Sequence, residues 1–550
     1  MPLSVEAKRA CDHCRKRKIK CDRADPCSFC RISSRPCSYD SPIGKRGPKG
    51  PRLRDRRRVR RLDGSEELVV AANNPVKSEP LGGGFHALVR LRDNLAESVR
   101  VEVPSVPLIT IIRRCISLYF RRSFPILHQA SLHSNAVYFF GSEDHDSLPS
   151  LDGVQDAEHL ALMRAFAVLT AFCAALSFLY GRSAMPYGGA VAPTFLIAAR
   201  QMLREYEDDD LREPDATSLQ VRMLLSTSLQ LHSGDTGLAW HLVGEAGLIA
   251  RRMRLYSESI VSQYSPLEAA MLRNAFWSLY TADASSECMQ NRALVLYEPL
   301  FDTDLDLLET GRAHVPLIET DIAGESDQFE TRVSRTFHQI RRTWSSAARL
   351  MRAIRAFGRR APNIDPALST DPQQIVAIAN MYAEFTASLD NIPPELQPPA
   401  VYGQGDSTIS DEERPCYVSK RYRLLSAYFY TKLLIIHVCR HLGLAAVVGF
   451  CNDNAVLAGE EVNVARDFIH NLQSVPFHHL VELGEPEVEI TRAVGSVLLA
   501  VGQGSNNVTI RQRAGAQLNI LVDILARMDS QASEKLALQL SRGEQWALQV

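Results

Sequence analysis

Apolar residues return at intervals of three and four along most of the chain, beginning near Leu108. This spacing is typical of one face of an α-helix, and the alternating Val, Ile and Thr runs of strands are scarce. The pattern therefore predicts a mostly α fold, with loops at 205–216, 358–370 and 391–412. The predicted helices lie near 109–122, 217–232, 238–256, 266–285, 328–357, 371–390, 415–443, 461–473, 488–501 and 509–528.

The longest uncharged run, AFAVLTAFCAALSFLYG, occupies the 17 residues between Arg164 and Arg182. This length is at the lower limit for a membrane-spanning helix. The Ala, Thr and Ser content of the run, and the lack of a second run like it, favour a buried core helix, so no membrane association is predicted. The opening residues MPLSVEAKRACDHC lack the apolar stretch of a signal peptide, so we expect the thiols to lie in a reducing compartment.

The segment from Cys11 to Cys37 departs from the helical pattern, because it has few apolar residues and contains six of the chain's twelve cysteines. The cysteines follow the spacing C-x2-C-x6-C twice. A segment with so little apolar surface must obtain most of its folding free energy from bound metal. Clustered thiols in a reducing compartment likewise indicate metal binding rather than disulfides.

The number of sulfurs limits how many zinc ions this segment can hold. Each tetrahedral zinc needs four ligands, so six cysteines complete two sites only if two sulfurs are shared. The first cysteine of each half is the natural shared one. One Zn²⁺ would then take Cys11, Cys14, Cys21 and Cys27, and the other Cys11, Cys27, Cys30 and Cys37. Closed sulfur coordination leaves no position for a catalytic water, and the alternatives are a single zinc knuckle or a redox CxxC pair.

Positive charge is concentrated at the N-terminal end of the chain. The net charge of −1 combines 20 Lys/Arg and 7 Asp/Glu in residues 1–63 with 42 and 56 in the remainder. This asymmetry indicates a nucleic-acid-binding arm on an acidic body. Residues 1–10 are predicted to be a tail, 11–37 the cysteine module and 38–104 a flexible linker, first basic and then polar.

The basic run of the linker, KRGPKGPRLRDRRRVRR, has two functional interpretations, phosphate contact and nuclear import, and the alternative is a solvated charge run. The import candidates are Lys45, Arg46, Arg56, Arg57, Arg58, Arg60 and Arg61. A homodimer stays open, because regular apolar heptads are absent: Leu53 is followed seven residues later by Arg60.

The sequence CDHCRKRKIKCD, with Pro26 ahead of the fourth cysteine, resembles the DNA-binding module of the fungal Zn2Cys6 binuclear-cluster transcription factors. The family pattern C-x2-C-R-x-[RK]-K-x-K-C-D is matched without a gap. The resemblance implies two Zn²⁺ per chain and binding to double-stranded DNA at CGG-type triplets. It places base contacts on Arg17 and Lys18, whose charged groups can donate to O6 and N7 of guanine. Phosphate contacts are expected from Arg15, Lys20, Lys45 and Arg46.

The body resembles the fungal-specific regulatory region of these factors over residues 105–310, and 311–550 are predicted to be a further helical part of the same regulatory domain. One segment, LRNAFWSLYTAD, resembles the region's arginine–tryptophan–tyrosine–aspartate segment. It is carried here by Arg273, Trp277, Tyr280 and Asp283. The segment departs from the family at Asn274 and Ala284, where arginines are usual.

Two features of the body leave alternatives open. Trp277 and Tyr280 are i, i+3 neighbours on a predicted helix, and they are predicted to be core residues, the alternative being the wall of a ligand cavity. The segments 205–215 and 477–490 mix acidic and apolar residues, as activation segments do. The alternative for both segments is a solvated loop.

Together these features predict a nuclear, sequence-specific DNA-binding regulator of RNA polymerase II transcription, an activator that controls a secondary-metabolite gene cluster. Carbon-source genes are the alternative target. The transcription machinery and a small-molecule effector of the body are the further expected partners. Two other classes are an interaction scaffold whose zinc module binds protein, and an enzyme with an accessory zinc module. An enzyme is not expected, because the chain has no P-loop, G-x-S-x-G or HExxH motif.

Overall fold

In the computed structural model the chain forms two compact units, Met1–Val76 and Lys77–Val550. In the first unit the structure describes residues 10–12, 14, 21–24, 26–27, 30–31 and 37–39. In the second unit it describes residues 82–142, 148–151, 153–180, 184–233, 236–312, 315–319, 325–360, 372–397, 409 and 413–528. Every regular element within these ranges of the second unit is an α- or 3-10 helix, which confirms the predicted mostly α fold.

The described helices of the second unit are numbered here in chain order. They are α1 Gly82–Glu102, α2 Leu108–Phe120, α3 Gln129–Phe140, α4 Asp156–Tyr180, α5 Gly188–Arg212, α6 Ala216–Ser233, α7 Thr236–Arg252, α8 Glu258–Val261, α9 Pro266–Met289, α10 Glu325–Arg360, α11 Pro372–Thr386, α12 Arg414–Leu442, α13 Asn454–Gln473, α14 Phe477–Leu483, α15 Glu485–Gly504 and α16 Val508–Arg527. Short 3-10 turns lie at Glu298–Leu300, Ala387–Leu389, Pro394–Leu396 and Ala445–Val448.

Local sequence signals explain where two of the predicted helices begin and end. The hydroxyl of Ser265 accepts a hydrogen bond from the backbone N–H of Glu268, and Pro266 occupies the first helical position of α9. α12 ends at Leu442, one residue before its predicted end, because Gly443 follows with φ at 66°. Signals of this kind are readable in a sequence, which is why these boundaries were predicted within one or two residues.

The predicted linker at 38–104 extends too far, because Gly82–Glu102 form α1. α1 packs against α5 and buries four apolar residues at three- and four-residue spacing. These are Leu88, Leu91, Leu95 and Val99. The glycine-rich start that suggested a linker has a packing role, since a Cβ on Gly84 would lie only 2.9 Å from the sulfur of Met163.

The acidic loop predicted at 205–216 is also mostly helical, because α5 continues to Arg212. Within it, Asp210 is fully buried and accepts hydrogen bonds from Arg164 at 3.1 Å and Arg222 at 2.7 Å. A carboxylate removed from water requires such counter-charges. The segment is therefore helical as far as Arg212 and holds one of its acids in the core, where a loop was predicted.

The second acidic segment, 477–490, folds in the same way, as α14 and the first turn and a half of α15. Glu487 is buried and accepts hydrogen bonds from the hydroxyls of Tyr422 at 2.5 Å and Ser426 at 2.6 Å. Burial raises the pKa of Glu487. Its carboxyl group is committed to a contact inside the body and is not available to a partner.

The other two predicted loops lie partly in described residues. α10 continues to Arg360, three residues into the loop predicted at 358–370, and residues 361–371 lie outside the described residues. In the loop predicted at 391–412, the described residues 391–397 contain a 3-10 turn.

The uncharged run forms the centre of α4, which packs against α5 and α6. Among the described residues α4 is the one helix long and apolar enough to cross a membrane, and 72% of its most apolar window is buried inside the body. Its charged residue Arg164 is paired with Asp210 and Asp215. The prediction of a core helix is confirmed.

Two helices join the two largest hydrophobic cores of the body, the first formed mainly by α1–α6 and the second mainly by α10–α13, α15 and α16. α10 has 36 residues, or ~54 Å, and contributes Phe329 to the first core and Trp344 to the second. α12 contributes Tyr417 to the first and Tyr422 to the second. A third, smaller core lies around α6–α9.

Replacing Asp210 with Asn should destabilise the body by about 3–5 kcal/mol, because two buried arginines lose the fully buried carboxylate that they share. The matched control is Asp209→Asn on the neighbouring residue, whose ion pair with Arg212 is largely exposed and is expected to contribute less than about 1 kcal/mol. Thermal unfolding of the full chain followed by calorimetry measures both effects. Equal shifts in Tm for the two variants would contradict the structural role of Asp210.

Candidate functional site

The candidate site is the cysteine module, in which four of the six predicted ligands are buried together. The sulfurs of Cys11, Cys14, Cys27 and Cys30 all lie within 4.8 Å of one another. Cys21 and Cys37 are half-buried and pack against these four. The Cys14 side chain interacts with Cys21, and the Cys30 side chain interacts with Cys37. All six predicted ligands therefore meet in one cluster.

The sulfur–sulfur distances test whether the cluster fits tetrahedral zinc. Zn–S bonds of ~2.3 Å place the sulfurs of one tetrahedron ~3.8 Å apart. The structure has 3.8 Å between Cys11 and Cys27, 3.7 Å between Cys11 and Cys30, and 3.6 Å between Cys14 and Cys27. Cys11 and Cys27 thus lie at ligand spacing from each other, and each also lies at that spacing from a cysteine of the opposite half. The residues present fit zinc.

The two halves repeat the same local geometry around Cys11 and Cys27. The backbone N–H of Cys14 points to the sulfur of Cys11 at 3.4 Å, and that of Cys30 points to the sulfur of Cys27 at the same distance. These hydrogen bonds arise because the x2 spacing folds the chain back after one turn. Since they stabilise negative charge on sulfur, they favour the thiolate, which is the form that binds metal.

The pKa values separate Cys11 and Cys27 from their partners. The N–H of Cys30 lowers the pKa of Cys27 to about 6. Burial opposes ionisation of Cys11, but the hydrogen bonds from Cys14 and the neighbouring thiols outweigh it, so the pKa of Cys11 is also lowered. Burial instead raises the pKa of Cys14, and it raises that of Cys30 to about 12. The two sulfurs best able to carry negative charge are therefore those of Cys11 and Cys27, the two that were predicted to be shared.

Several contacts that close the module were not anticipated from the sequence. The backbone N–H of Asp12 donates to the carbonyl of Ser38 at 2.8 Å. This hydrogen bond connects the residue after the first cysteine of the module to the residue after the last. The hydroxyl of Tyr39 donates to the carbonyl of Ala24 at 3.3 Å. Arg23 takes a positive φ of 65°, and its N–H points to the sulfur of Cys21 at 3.4 Å. The one available signal was the aromatic residue two positions after the last cysteine.

The predicted DNA-contacting residues and the predicted import residues lie outside the described residues. The first group comprises Arg15, Arg17, Lys18, Lys20, Lys45 and Arg46. The second group shares Lys45 and Arg46 with the first and adds Arg56, Arg57, Arg58, Arg60 and Arg61. The described flanking ligands Cys14 and Cys21 fix the two ends of the basic stretch between them on the metal cluster.

In the body, Trp277 and Tyr280 are buried in the third core, which confirms their interpretation as core residues. The indole N–H of Trp277 donates to the carbonyl of Leu308 at 3.0 Å, and the guanidinium carbon of Arg341 lies 4.2 Å from a ring centroid of Trp277. The cavity beside Tyr280 measures about 20 Å³, which is room for one or two water molecules only. The ligand-cavity alternative therefore has no support at these residues.

Asn274, one of the departures from the family segment, and Asp283, which matches it, both have structural roles. The side-chain amide of Asn274 donates to the carbonyl of Pro125 at 2.7 Å, a contact across 149 positions of sequence. Asp283 accepts hydrogen bonds from the backbone N–H groups of Val295 and Leu296 and pairs with Arg292. The segment thus holds the surrounding chain in place.

Two family descriptions match the chain. Residues 9–46 match the Fungal Zn(2)-Cys(6) binuclear cluster domain, and residues 116–380 match the Fungal specific transcription factor domain. Together the two matches span more than half of the chain. Both describe transcription factors, which confirms the expectation that the chain is not an enzyme. The first domain binds two zinc ions, and the clustered cysteines supply its ligands.

Curated proteins match over short stretches. The maltose fermentation regulatory protein MAL13 of Saccharomyces cerevisiae is 44% identical over 70 residues, covering 13% of this chain and 15% of that protein. The quinic acid utilization activator of Emericella nidulans is 38% identical over 91 residues, covering 15% and 11% respectively. The abscisic acid cluster transcription factor abl7 of Leptosphaeria maculans is 45% identical over 56 residues, covering 10% and 9%.

The chain therefore spans 15% or less of the length of each of these relatives in the matched stretches, and their names describe those proteins. The cysteine geometry and the two domain matches agree with each other along the chain: a two-zinc module precedes a helical body that carries the regulatory domain. The chain belongs to the fungal Zn2Cys6 family of transcription factors.

Proposed function

We propose that the chain is a sequence-specific DNA-binding regulator of RNA polymerase II transcription, which reads CGG-type triplets through its cysteine module. The observation that carries this proposal is the compact six-cysteine cluster that fits two zinc ions and leads directly into five cations between Cys14 and Cys21. Arg17 and Lys18 contact guanine edges, and Arg15, Lys20, Lys45 and Arg46 contact phosphates. In this assignment residues 11–37 bind DNA and the helical body regulates.

We assign the shared sulfurs to Cys11 and Cys27. One zinc takes Cys14 and Cys21 in addition to this pair, and the other takes Cys30 and Cys37. The 3.8 Å between the sulfurs of Cys11 and Cys27 and the lowered pKa of both thiols support the assignment. Bound zinc folds the module and holds the basic stretch at a fixed angle to it.

Metal analysis tests this ligand assignment. The full chain should bind two zinc ions, Cys27→Ser should lose both because each ion depends on that sulfur, and Cys14→Ser should retain more zinc than Cys27→Ser. Cys451→Ser is the matched control, since Cys451 is exposed and lies in the body, so this variant should keep two zinc ions. Equal losses from Cys14→Ser and Cys27→Ser would contradict the shared role of Cys27.

Base reading is tested by replacing Lys18 with Ala. The variant should bind a CGG-containing duplex about 1–3 kcal/mol more weakly than the wild type, while its affinity for random duplex changes little. Arg31→Ala is the control, because Arg31 is an exposed cation in the second half of the module. Fluorescence anisotropy at fixed salt measures both affinities, and an unchanged ratio of specific to random binding in Lys18→Ala would disprove base reading.

The phosphate contacts have a different signature in the same assay. Changing Lys45 or Arg46 to Gln should weaken binding to all duplexes alike and reduce the slope of log affinity against log salt by about one each. An affinity that does not change with salt would instead favour the scaffold alternative, in which the zinc module binds protein.

We further propose that the protein acts in the nucleus and activates its targets, and that these form a secondary-metabolite gene cluster. The quinic-acid relative is named an activator and the abscisic-acid relative a cluster transcription factor, whereas the maltose relative favours carbon-source genes. Genome-wide occupancy mapping distinguishes the two target sets. Loss of nuclear fluorescence from a tagged chain with Arg56, Arg57, Arg58, Arg60 and Arg61 changed to Gln tests the import segment.

A further inference from the structure

A cavity of about 240 Å³ lies in the body where its two largest hydrophobic cores meet. Its lining residue Tyr417 belongs to the first core, and Tyr422 and Val475 pack in the second. α12, the turn at Pro394–Leu396 and the C-terminal end of α13 provide the described walls. A single water needs only ~10–15 Å³ by the same measure, so the cavity has room for a small organic molecule.

Most polar groups on the cavity wall already have partners within the protein. The hydroxyl of Tyr422 donates to Glu487, and that of Ser474 donates to the carbonyl of Asn471 at 2.7 Å. The hydroxyl of Tyr417 accepts a hydrogen bond from Arg332 at 3.0 Å. Between these groups the wall is apolar and includes Ile409, Val418 and Val475. A ligand therefore meets apolar surface over most of the cavity.

One positive charge on the wall has no counter-charge among the residues that the structure describes. Glu395, the acidic residue in the described lining, is buried and held by both hydrogen-bonding arms of Arg335, at 2.9 and 3.0 Å. Arg421 is half-buried on the wall, and it forms no hydrogen bond or ion pair with any residue that the structure describes. A cation that is partly removed from water is stabilised when an anion pairs with it, so the cavity is suited to binding an anion.

We infer that this cavity binds a small organic carboxylate with an apolar body. The carboxylate pairs with Arg421, whose planar guanidinium can donate two parallel hydrogen bonds to it, and the apolar body lies against Ile409, Val418 and Val475. An inorganic anion would leave the apolar wall uncovered, and a neutral molecule would leave the guanidinium unpaired. Binding of the carboxylate does not depend on the proposed function. Only a role for it as an effector of the regulator would rest on that function.

The first experiment is isothermal titration calorimetry of the zinc-loaded full chain with three probes at millimolar concentration. Benzoate should bind saturably. Benzamide has the same shape without the charge and should bind at least about tenfold more weakly than benzoate. Inorganic phosphate should not bind. Saturable binding of phosphate equal to that of benzoate, or no saturable binding of benzoate, would overturn the inference.

Two arginines on α12 give a matched pair of variants. Arg421→Gln should weaken benzoate binding about tenfold or more, whereas Arg423→Gln should leave it unchanged, because Arg423 does not line the cavity. Val418→Trp should abolish binding by filling the space. If Val418→Trp fails to fold, as judged by its melting curve, the arginine pair still decides, and equal benzoate affinities for those two variants would overturn the inference. DNA is absent from this assay, so failure here is distinguishable from failure of CGG reading.

Discussion

A charge removed from water must find an opposite charge, and this constraint shapes the described parts of both units. In the body it places Arg164 and Arg222 around Asp210 and binds Glu395 to Arg335. Leaving one member of such a pair alone costs several kcal/mol, so the partners fix the positions of the helices that carry them. The same requirement makes Arg421 informative, since it has no counter-charge among the residues that the structure describes, whereas Glu395 on the same wall is matched.

The cysteine module obeys the constraint with metal in place of side chains. Six thiolates and two Zn²⁺ leave an excess of two negative charges. Backbone N–H groups directed at Cys11 and Cys27 offset part of this excess on the two sulfurs that are predicted to be shared. The five cations that follow Cys14 in the sequence add compensating positive charge to the same module.

The sequence predicted the parts of the molecule that depend on local signals. Ligand spacing in the cysteine module is local, as are the signals at Ser265 and Gly443, and the cysteine cluster, the start of α9 and the end of α12 were predicted to within one residue. α1, α3 and α5 are absent from the predicted helices, and the glycines of α1 and the acidic end of α5 suggest loops unless the distant partners are known. For Asp210 those partners lie 46 positions before it and 12 after it. No single-sequence pattern records such pairings.

The cavity beside Arg421 was not predictable for the same reason. Its described walls come from four separate stretches of the chain, and the lack of a described counter-charge for Arg421 appears only when they are brought together. Core residues were easier to predict, because Trp277 and Tyr280 are large side chains at helical spacing and both are buried. Side chains that fill space can be recognised in a sequence, whereas space that is left open cannot.

The joining of the two cores by α10 and α12 has a consequence for genetics. The match to the regulatory domain ends at residue 380, inside α11, yet most of the second core is built by the helices that follow. A premature stop shortly after residue 380 would strip the apolar face from the C-terminal half of α10, although the zinc module and the matched domain would remain intact in sequence. Such an allele would behave as a null through loss of protein, and it would carry no information about which residues contact DNA.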